Sequence, residues 1–466
     1  MVVNLMEEII IWGAGKVATR KCEWAVWAGY QVKFFVDNDA EKWGKTIEGI
    51  PICSPEILRE YRGTVVIPDL YYEEIRAQLN EMSYQGNKVG FKQFRKEVIC
   101  KKKINIKLPD MEKKRNNVSF VFDSYFKAFN WGGVESWSCM VANQLLKSGM
   151  EARLICGPNK KFDKFTKNIL HFCEENELVL IEEMAVKIAG YLPCIFISQG
   201  SVALNAAQIV KTLFSDQIQI VMVAHADEPV TYERLQFWED RLDKIICISR
   251  KIKYELQNKY GVQEEILVYH PNPIQLPNMA GKRGYENGIL KIGFAARLNR
   301  IQKRAHLLPD IMEMCSKKGL NVEFNIAGEG DCLDQLLSYV SDRHLENSVH
   351  ILGWIPPTKM ADFWKEQDVY LNLSDFEGMS LAMLEAMACG AVPVVTDVSG
   401  VSDMIQDGKN GFIIPVDSWL EAADKIEVLS GDRGLLKRAG EYNMGLIREK
   451  CDVSDYADWL MEMFYF

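Results

Sequence analysis

"SDFEGMSLAMLEAMACG" occupies Ser374–Gly390, and its reading decides the fold. The apolar run VYLNLS (Val369–Ser374) precedes it and VPVVTD (Val392–Asp397) follows it. A strand, a glycine loop, a helical run and a second strand make one β-α-β step, the unit of a parallel α/β sheet. Ser380 is the natural N-cap of the helix. The N–H groups of Gly378, Met379 and Ser380 then lie beyond the strand's carboxyl end, where the helix dipole favours an anion. Two acids, Glu377 and Glu385, bracket this helix start. Taken alone, they fit a capped helix with two incidental carboxylates better than a grip on one ligand.

The same alternation runs through the whole chain. Its 466 residues suggest about three domains. A composition of 48% hydrophobic and 26% charged residues is that of an ordinary globular protein. The formal charge of -9 argues against non-specific nucleic-acid binding. Twelve scattered cysteines, without a C-x-x-C pair or a Cys/His cluster, signal neither a metal site nor a redox pair. They fit reduced thiols in the cytoplasm. The start, MVVNLMEEIIIWGAG, has no leader pattern, and no apolar run reaches the length of a membrane span.

Five segments follow from the pattern. Residues 1–98 read as a small Rossmann-like α/β domain. Residues 99–116 are a basic linker, whose KKKINIKLPDMEKKR core (Lys101–Arg115) suits a solvated tether or contact with an anionic membrane surface. Residues 117–280 and 281–450 are two further α/β units in tandem. The first of them contains the apolar runs EARLIC, LVLI (Leu178–Ile181), CIFISQG and IQIVMVAH, all read as strands. Residues 451–466 form an aromatic terminal helix, whose Trp459, Phe464, Tyr465 and Phe466 read as core contacts.

Other groups stand where ligands of open α/β sheets bind, at strand carboxyl ends. Arg297 ends the strand in GFAAR, and Lys303 follows six residues later. A cation pair beside a helix N-terminus suits a diphosphate. Gly132 and Gly133 make a strand-to-helix turn, Gly328 and Gly330 flank the GEG turn, and His225 and Asp227 follow an apolar strand. Each signal alone fits a turn or a solvated charge at least as well as a site.

The order GGVE, H-A-D, R-x5-K, GEG and E-x7-E resembles family 4 of the glycosyltransferases from about Asn117 to Phe466, most closely in EGMSLAMLEAMACGAVPVVTD. The resemblance implies the GT-B fold, two facing Rossmann-like domains, here preceded by the small α/β domain. It implies a retaining, metal-independent transfer from a nucleotide-sugar, a UDP- or GDP-sugar, to a glycan or lipid-linked acceptor in surface polysaccharide or glycolipid synthesis. Arg297 and Lys303 would hold the diphosphate, Glu385 the ribose and Glu377 the donor sugar. Gly378, Met379, Ser380 and Gly328 would line the donor. Gly132 and Gly133 would approach the phosphates from the facing domain, and His225 would lie near the reacting centre. Three positions depart from the usual pattern: Gly-Met-Ser after Glu377, alanine before Arg297, and Asp403 where a glutamate is common. The terminal helix would cross back to the first GT-B domain. A phosphorylase-like enzyme and an inactive nucleotide-sugar scaffold are the alternatives.

In the N-terminal segment, GAGKVA gives Gly13, Gly15 and Ala18, and Asp37 ends the next strand. This is the spacing of a dinucleotide fingerprint, with Asp37 placed for a ribose. The segment also resembles the small Rossmann-like domains appended to sugar-modifying acyltransferases and methyltransferases. A structural or regulatory module and a nucleotide or NAD site are both open.

Overall fold

The computed structural model describes residues 7–106, 118–125, 132–158, 166, 168–279, 285 and 288–464. Most of the basic linker core, together with Trp131, Tyr465 and Phe466, lies outside them. The chain divides into two compact units.

The first unit comprises residues 1–111, 173–191 and 202–218. Its strands are β1 (Glu8–Trp12), β2 (Gln31–Val36), β3 (Thr46–Ile47), β4 (Ile50–Cys53), β5 (Thr64–Ile67) and β6 (Asn87–Gly90). They form one sheet in the order β3-β4-β2-β1-β5-β6, antiparallel between β3 and β4 and parallel at the other pairs. A core of Ile10, Trp12, Phe34, Val36, Val65 and Ile67 fills one face.

Two helices from later in the chain, Glu177–Ala189 and Val202–Leu213, belong to this unit. Glu177 accepts from Arg20 at 2.5 Å and Arg95 at 2.8 Å, and Glu182 from the Trp27 indole at 2.7 Å. The first of these helices corrects the strand expected at Leu178–Ile181. A short apolar run has no decisive period. Here the Asn176 side chain accepts from the Leu178 and Val179 N–H groups, which starts a helix instead. Ile181, Met184, Ala185 and Ile188 then bury one helical stripe.

The second unit comprises residues 112–172, 192–201 and 219–466. Its first sheet contains β7 (Ser119–Ser124), β8 (Glu151–Cys156), β9 (Ile169–His171), β10 (Cys194–Ser198), β11 (Ile218–Ala224), β12 (Lys244–Cys247) and β13 (Leu267–Tyr269), in the order β13-β12-β11-β10-β7-β8-β9. The second contains β14 (Leu290–Ala295), β15 (Val322–Ala327), β16 (Val349–Gly353), β17 (Val369–Asn372), β18 (Val392–Thr396) and β19 (Phe412–Ile414), in the order β16-β15-β14-β17-β18-β19. All its described pairings are parallel. Such strands are covered on both faces, which is why VYLN and VPVVT are buried throughout.

The terminal helix, Val453–Met463, packs on helix Gly133–Lys147 of the first sheet's layer. Tyr456 meets Trp137 edge-on at 6.0 Å, and Trp459 lies 4.4 Å from the His270 ring. Main-chain bonds between Ile274 and residues Cys451 and Val453 fix the return. Among the described residues no helix is long and apolar enough to cross a membrane.

Candidate functional site

The site is built on the loop between β17 and helix Leu381–Ala388. Ser380 caps this helix, its Oγ accepting from the Met383 N–H at 3.3 Å and lying 3.0 Å from the Tyr370 hydroxyl. Among the described residues, none accepts from the N–H groups of Gly378, Met379 or Ser380. These donors, at a helix N-terminus, form a ready anion site.

Glu377 is 8% exposed and forms an ion pair with Lys303 Nζ. Its Oε1 also lies 2.7 Å from Ser374 Oγ, while Thr396 Oγ1 donates to the Ser374 carbonyl at 2.6 Å. Lys303 is held in turn by Asn299, whose Oδ1 accepts from the Lys303 N–H at 2.7 Å and the Gln302 N–H at 3.2 Å. Six residues before Lys303, Arg297 is exposed, with Gln302 Oε1 at 3.3 Å from its guanidinium. Glu385 sits one turn into the capped helix. Burial pushes its carboxyl up to about 7, and the neighbouring Trp364 indole offsets part of that rise.

The loop is pressed against the other sheet of the same unit. A Cβ on Gly378 would come within 2.1 Å of the His225 carbonyl oxygen. Gly378 is therefore glycine because backbone meets backbone there. Gly400, at φ +79°, packs in the same way on the Gly378 carbonyl and Met379. The Asn272 amide donates to the Met379 carbonyl at 3.0 Å, and Ser249 and Ser399 meet at 2.7 Å. Asp403 accepts from the Arg250 N–H at 2.8 Å. The departure noted at this position thus serves to join the two layers.

His225 follows β11 and meets the Trp137 ring edge-on at 5.1 Å. Its Nε2 is shut from solvent without a hydrogen-bond partner among the described residues, and burial lowers its pKa to about 3. The imidazole is neutral at physiological pH. Gly133 opens helix Gly133–Lys147 and faces Leu381, whose Cδ1 would lie 3.7 Å from an added Cβ. The Gly132 N–H donates to Glu135 at 2.9 Å. Burial raises the Glu135 carboxyl, and Arg297 nearby lowers it. Asp227 is occupied, accepting from Tyr232 at 2.6 Å with Lys251 at 2.9 Å.

Gly328 and Gly330 do different work. Their added Cβ atoms would fall 1.8 Å from the Ala296 carbonyl and 2.5 Å from the Leu298 carbonyl. They let the GEG turn lie against the backbone on either side of Arg297 and so position that arginine. Asn299, Ser374, Thr396, Asn272 and Gly400 were not anticipated. Single polar residues in loops carry no periodic signal, and their partners are distant in sequence.

In the N-terminal unit, Gly13 adopts φ +91° and Gly15 faces open space. Ala18, 1% exposed, begins helix Ala18–Trp27. The Asp37 carboxylate accepts from the Ala14 N–H at 2.7 Å, the Asp39 N–H at 2.9 Å and Lys42 at 3.1 Å. Lys21, 4% exposed, donates to the Trp12 carbonyl at 3.2 Å, and burial lowers its pKa to about 8. Among the described residues no three His, Cys, Asp or Glu side chains are grouped to hold a metal ion.

Residues 282–444 match the family model of Glycosyl transferases group 1, and residues 5–90 match C2185-like, N-terminal. Poly(ribitol-phosphate) alpha-N-acetylglucosaminyltransferase of Staphylococcus aureus is 32% identical over 227 residues, 48% of this chain and 44% of that protein. N-acetyl-alpha-D-glucosaminyl L-malate synthase of Bacillus anthracis is 25% identical over 252 residues, 50% and 64% of the two chains. The chain thus spans about half the length of the curated relatives it matches. Among solved structures, S. aureus TarM, as a mutant in complex with Fondaparinux, alpha-GlcNAc-glycerol and UDP, superposes with a TM-score of 0.62 at 14% identity. It covers 75% of this chain and 100% of that one. Anabaena HepE in complex with UDP and glucose gives 0.63 at 16%, over 74% and 99%. These likenesses establish a GT-B fold over most of the chain.

Proposed function

We propose that the protein is a retaining, metal-independent glycosyltransferase of the family 4 type. It moves a sugar from a nucleotide-sugar to a hydroxyl acceptor during synthesis of a surface polysaccharide or glycolipid. One observation carries this reading: Lys303 and Glu377 meet beside the capped helix start, which is packed under the His225 carbonyl. The relatives named for N-acetylglucosaminyl transfer, and neighbours holding UDP, support a UDP-sugar as donor.

In this reading Arg297, Lys303 and the N–H groups at Gly378–Ser380 bind the diphosphate. Departure of the nucleotide puts charge on a phosphate oxygen, and fixed donors stabilise it as it develops. Glu377 receives hydroxyls of the donor sugar once Lys303 turns to the phosphate. Glu385 accepts from the ribose, and Gly132 and Gly133 border the phosphates. His225, being neutral, acts by hydrogen bonding rather than by charge. Asp123 is buried and consumed by Ser198, Ser201 and Tyr125. With that carboxylate engaged, the leaving phosphate takes the acceptor's proton on the face that it vacates. Retention follows.

The N-terminal unit has a structural or regulatory role in this proposal. Three donors already satisfy Asp37, so a ribose there would have to displace them. A thermal shift of the full chain with NAD or a nucleotide-sugar that persists in Asp37→Ala would speak for a site elsewhere. A shift abolished by that substitution would speak for a site at Asp37. Peripheral contact with an anionic membrane remains part of the proposal and is tested by vesicle co-sedimentation.

The function is tested by screening UDP-, GDP- and ADP-sugars for binding and for hydrolysis without acceptor. Product mass and anomeric configuration are then read by mass spectrometry and NMR, with and without chelator. Binding of sugar 1-phosphates in place of nucleotide-sugars would instead favour a phosphorylase.

A further inference from the structure

Three adjacent strands of the first sheet in the second unit end in polar residues with side-chain atoms that have no hydrogen-bond partner among the described residues. Strand β7 ends at Ser124, which is fully buried, and its Oγ makes no hydrogen bond to any described residue. Strand β10 runs into Gln199, whose Oε1 and Nε2 are both shut from solvent and both unpaired. Strand β11 runs into His225, whose Nε2 is likewise unpaired. In the sheet these strands stand side by side, in the order β11-β10-β7. The β10–β7 register pairs Ile197 with Phe122, so its continuation sets Gln199 beside Ser124. Chain order reverses at this point, since β8 lies on one side of β7 and β10 on the other. Ligands of open α/β sheets sit at such a switch point, outside the strand ends.

Buried polar atoms are nearly always paired, so neighbouring orphans need an explanation. The surroundings deny them protein partners. Asp123, the carboxylate between them, already accepts from Ser198 Oγ at 2.9 Å, the Ser201 N–H at 3.1 Å and the Tyr125 N–H at 3.3 Å, and also from the Ser201 hydroxyl. Gly200, at φ +83°, has the Arg234 side chain against its Cα, and Arg234 lies 3.4 Å from the Gln199 carbonyl. That contact fixes the Gln199 backbone and leaves its amide free. Gln199 is only partly buried, so rotation of its side chain carries the amide toward the strand ends.

We infer that Ser124 and Gln199 form an acceptor subsite beside His225 that positions an uncharged polyhydroxyl group, a polyol or sugar ring, for transfer. This rests on the proposed transferase function and names the acceptor end of that site. The chemistry selects the class. A primary amide offers a donor and an acceptor, and a serine hydroxyl offers both, which matches adjacent hydroxyls. A neutral imidazole adds no charge, and the nearest carboxylate is spent. Gln199 is a positioning residue in this scheme: it holds the acceptor and exchanges no proton with it.

The test uses the full chain saturated with UDP. Glycerol, ribitol, N-acetylglucosamine and glycerol 3-phosphate are titrated by saturation-transfer NMR. At least one uncharged probe should bind saturably. Gln199→Leu and Ser124→Ala should each weaken it about threefold to tenfold, the worth of one or two neutral hydrogen bonds. Gln199→Asn should retain part of the affinity. UDP affinity and the unfolding temperature should stay as in the wild type. Equal probe binding in wild type and variants, or no binding of any uncharged probe while UDP binds, overturns the subsite and leaves ordered water as the partner of these atoms. Binding of glycerol 3-phosphate alone, lost in Arg234→Ala but kept in Gln199→Leu, overturns the uncharged class. Failure of UDP, GDP and ADP alike to bind overturns the transferase reading itself.

Discussion

Glu385 carries a cost that should be measurable. Burial raises its carboxyl from 4.5 to about 7. The folded state therefore holds this proton more tightly than the unfolded chain. Below about 4.5 both states are protonated and nothing is lost. As pH rises through 7 the folded protein must carry a buried charge, and stability falls. A shift of this size costs the charged form about 3 kcal/mol. The side chain is only partly enclosed, so roughly 1–3 kcal/mol is the expected range. Glu385→Gln keeps the shape of the side chain and removes the charge. At pH 8 it should raise the unfolding temperature by several degrees, at about 2–4 °C per kcal/mol for a domain of this size. At pH 4.5 the gain should vanish. The same substitution should weaken nucleotide-sugar binding about tenfold at pH 8, because a charged acceptor for the ribose is lost. Scanning calorimetry at the two pH values, paired with titration of UDP, reads both effects. An equal gain at both pH values, or a loss at pH 8, would refute the argument from burial. Unchanged UDP affinity would refute the ribose assignment.

Lys303→Ala should abolish transfer and also destabilise the fold by about 3–5 kcal/mol, because it strands the mostly buried Glu377 without its cation. Lys303→Met combined with Glu377→Gln should recover most of the stability in thermal melts but none of the transfer. Gly378→Ala forces a Cβ onto the His225 carbonyl, where backbone cannot step aside, so turnover should fall by about a hundredfold and stability by about 1–3 kcal/mol. Gly133→Ala meets only an ordinary contact with Leu381 and should melt within about 0.5 kcal/mol of the wild type. Any loss of donor affinity in that variant would then report phosphate approach at Gly133. Lys21, with its pKa lowered to about 8, costs stability at neutral pH, and the cost fades as pH rises from about 8 toward 10.5. Lys21→Met should therefore stabilise the protein at pH 7 by about 1–3 kcal/mol and by little near pH 10.5, read by chemical denaturation.

The α/β class, the three sheets and the helix cap at Ser380 were legible in the sequence. They rest on local rules, namely apolar runs of strand length, glycine turns and a side chain that bonds to its own helix start. The approximate position of the candidate site was legible too, because ligands of such sheets gather at strand carboxyl ends. Leu178–Ile181 was misread, since four apolar residues fit either period and the deciding cap, Asn176, lies outside the run. The GEG stretch reads as a turn in the sequence, but only the fold shows that Gly328 and Gly330 make room for the backbone around Arg297.

What the sequence determined by itself is the repeating βα grammar and the kinds of chemical group at each strand end. What only the tertiary structure decided is which of those groups meet. Residues 74 apart become the Lys303–Glu377 pair, and residues 153 apart bring the Gly378 loop under His225. The solvent-shielded polar atoms of Ser124, Gln199 and His225, unpaired among the described residues, belong to the same category. Burial and pairing depend on the packing of whole layers. No local pattern encodes the distance between segments that the chain brings together only when folded.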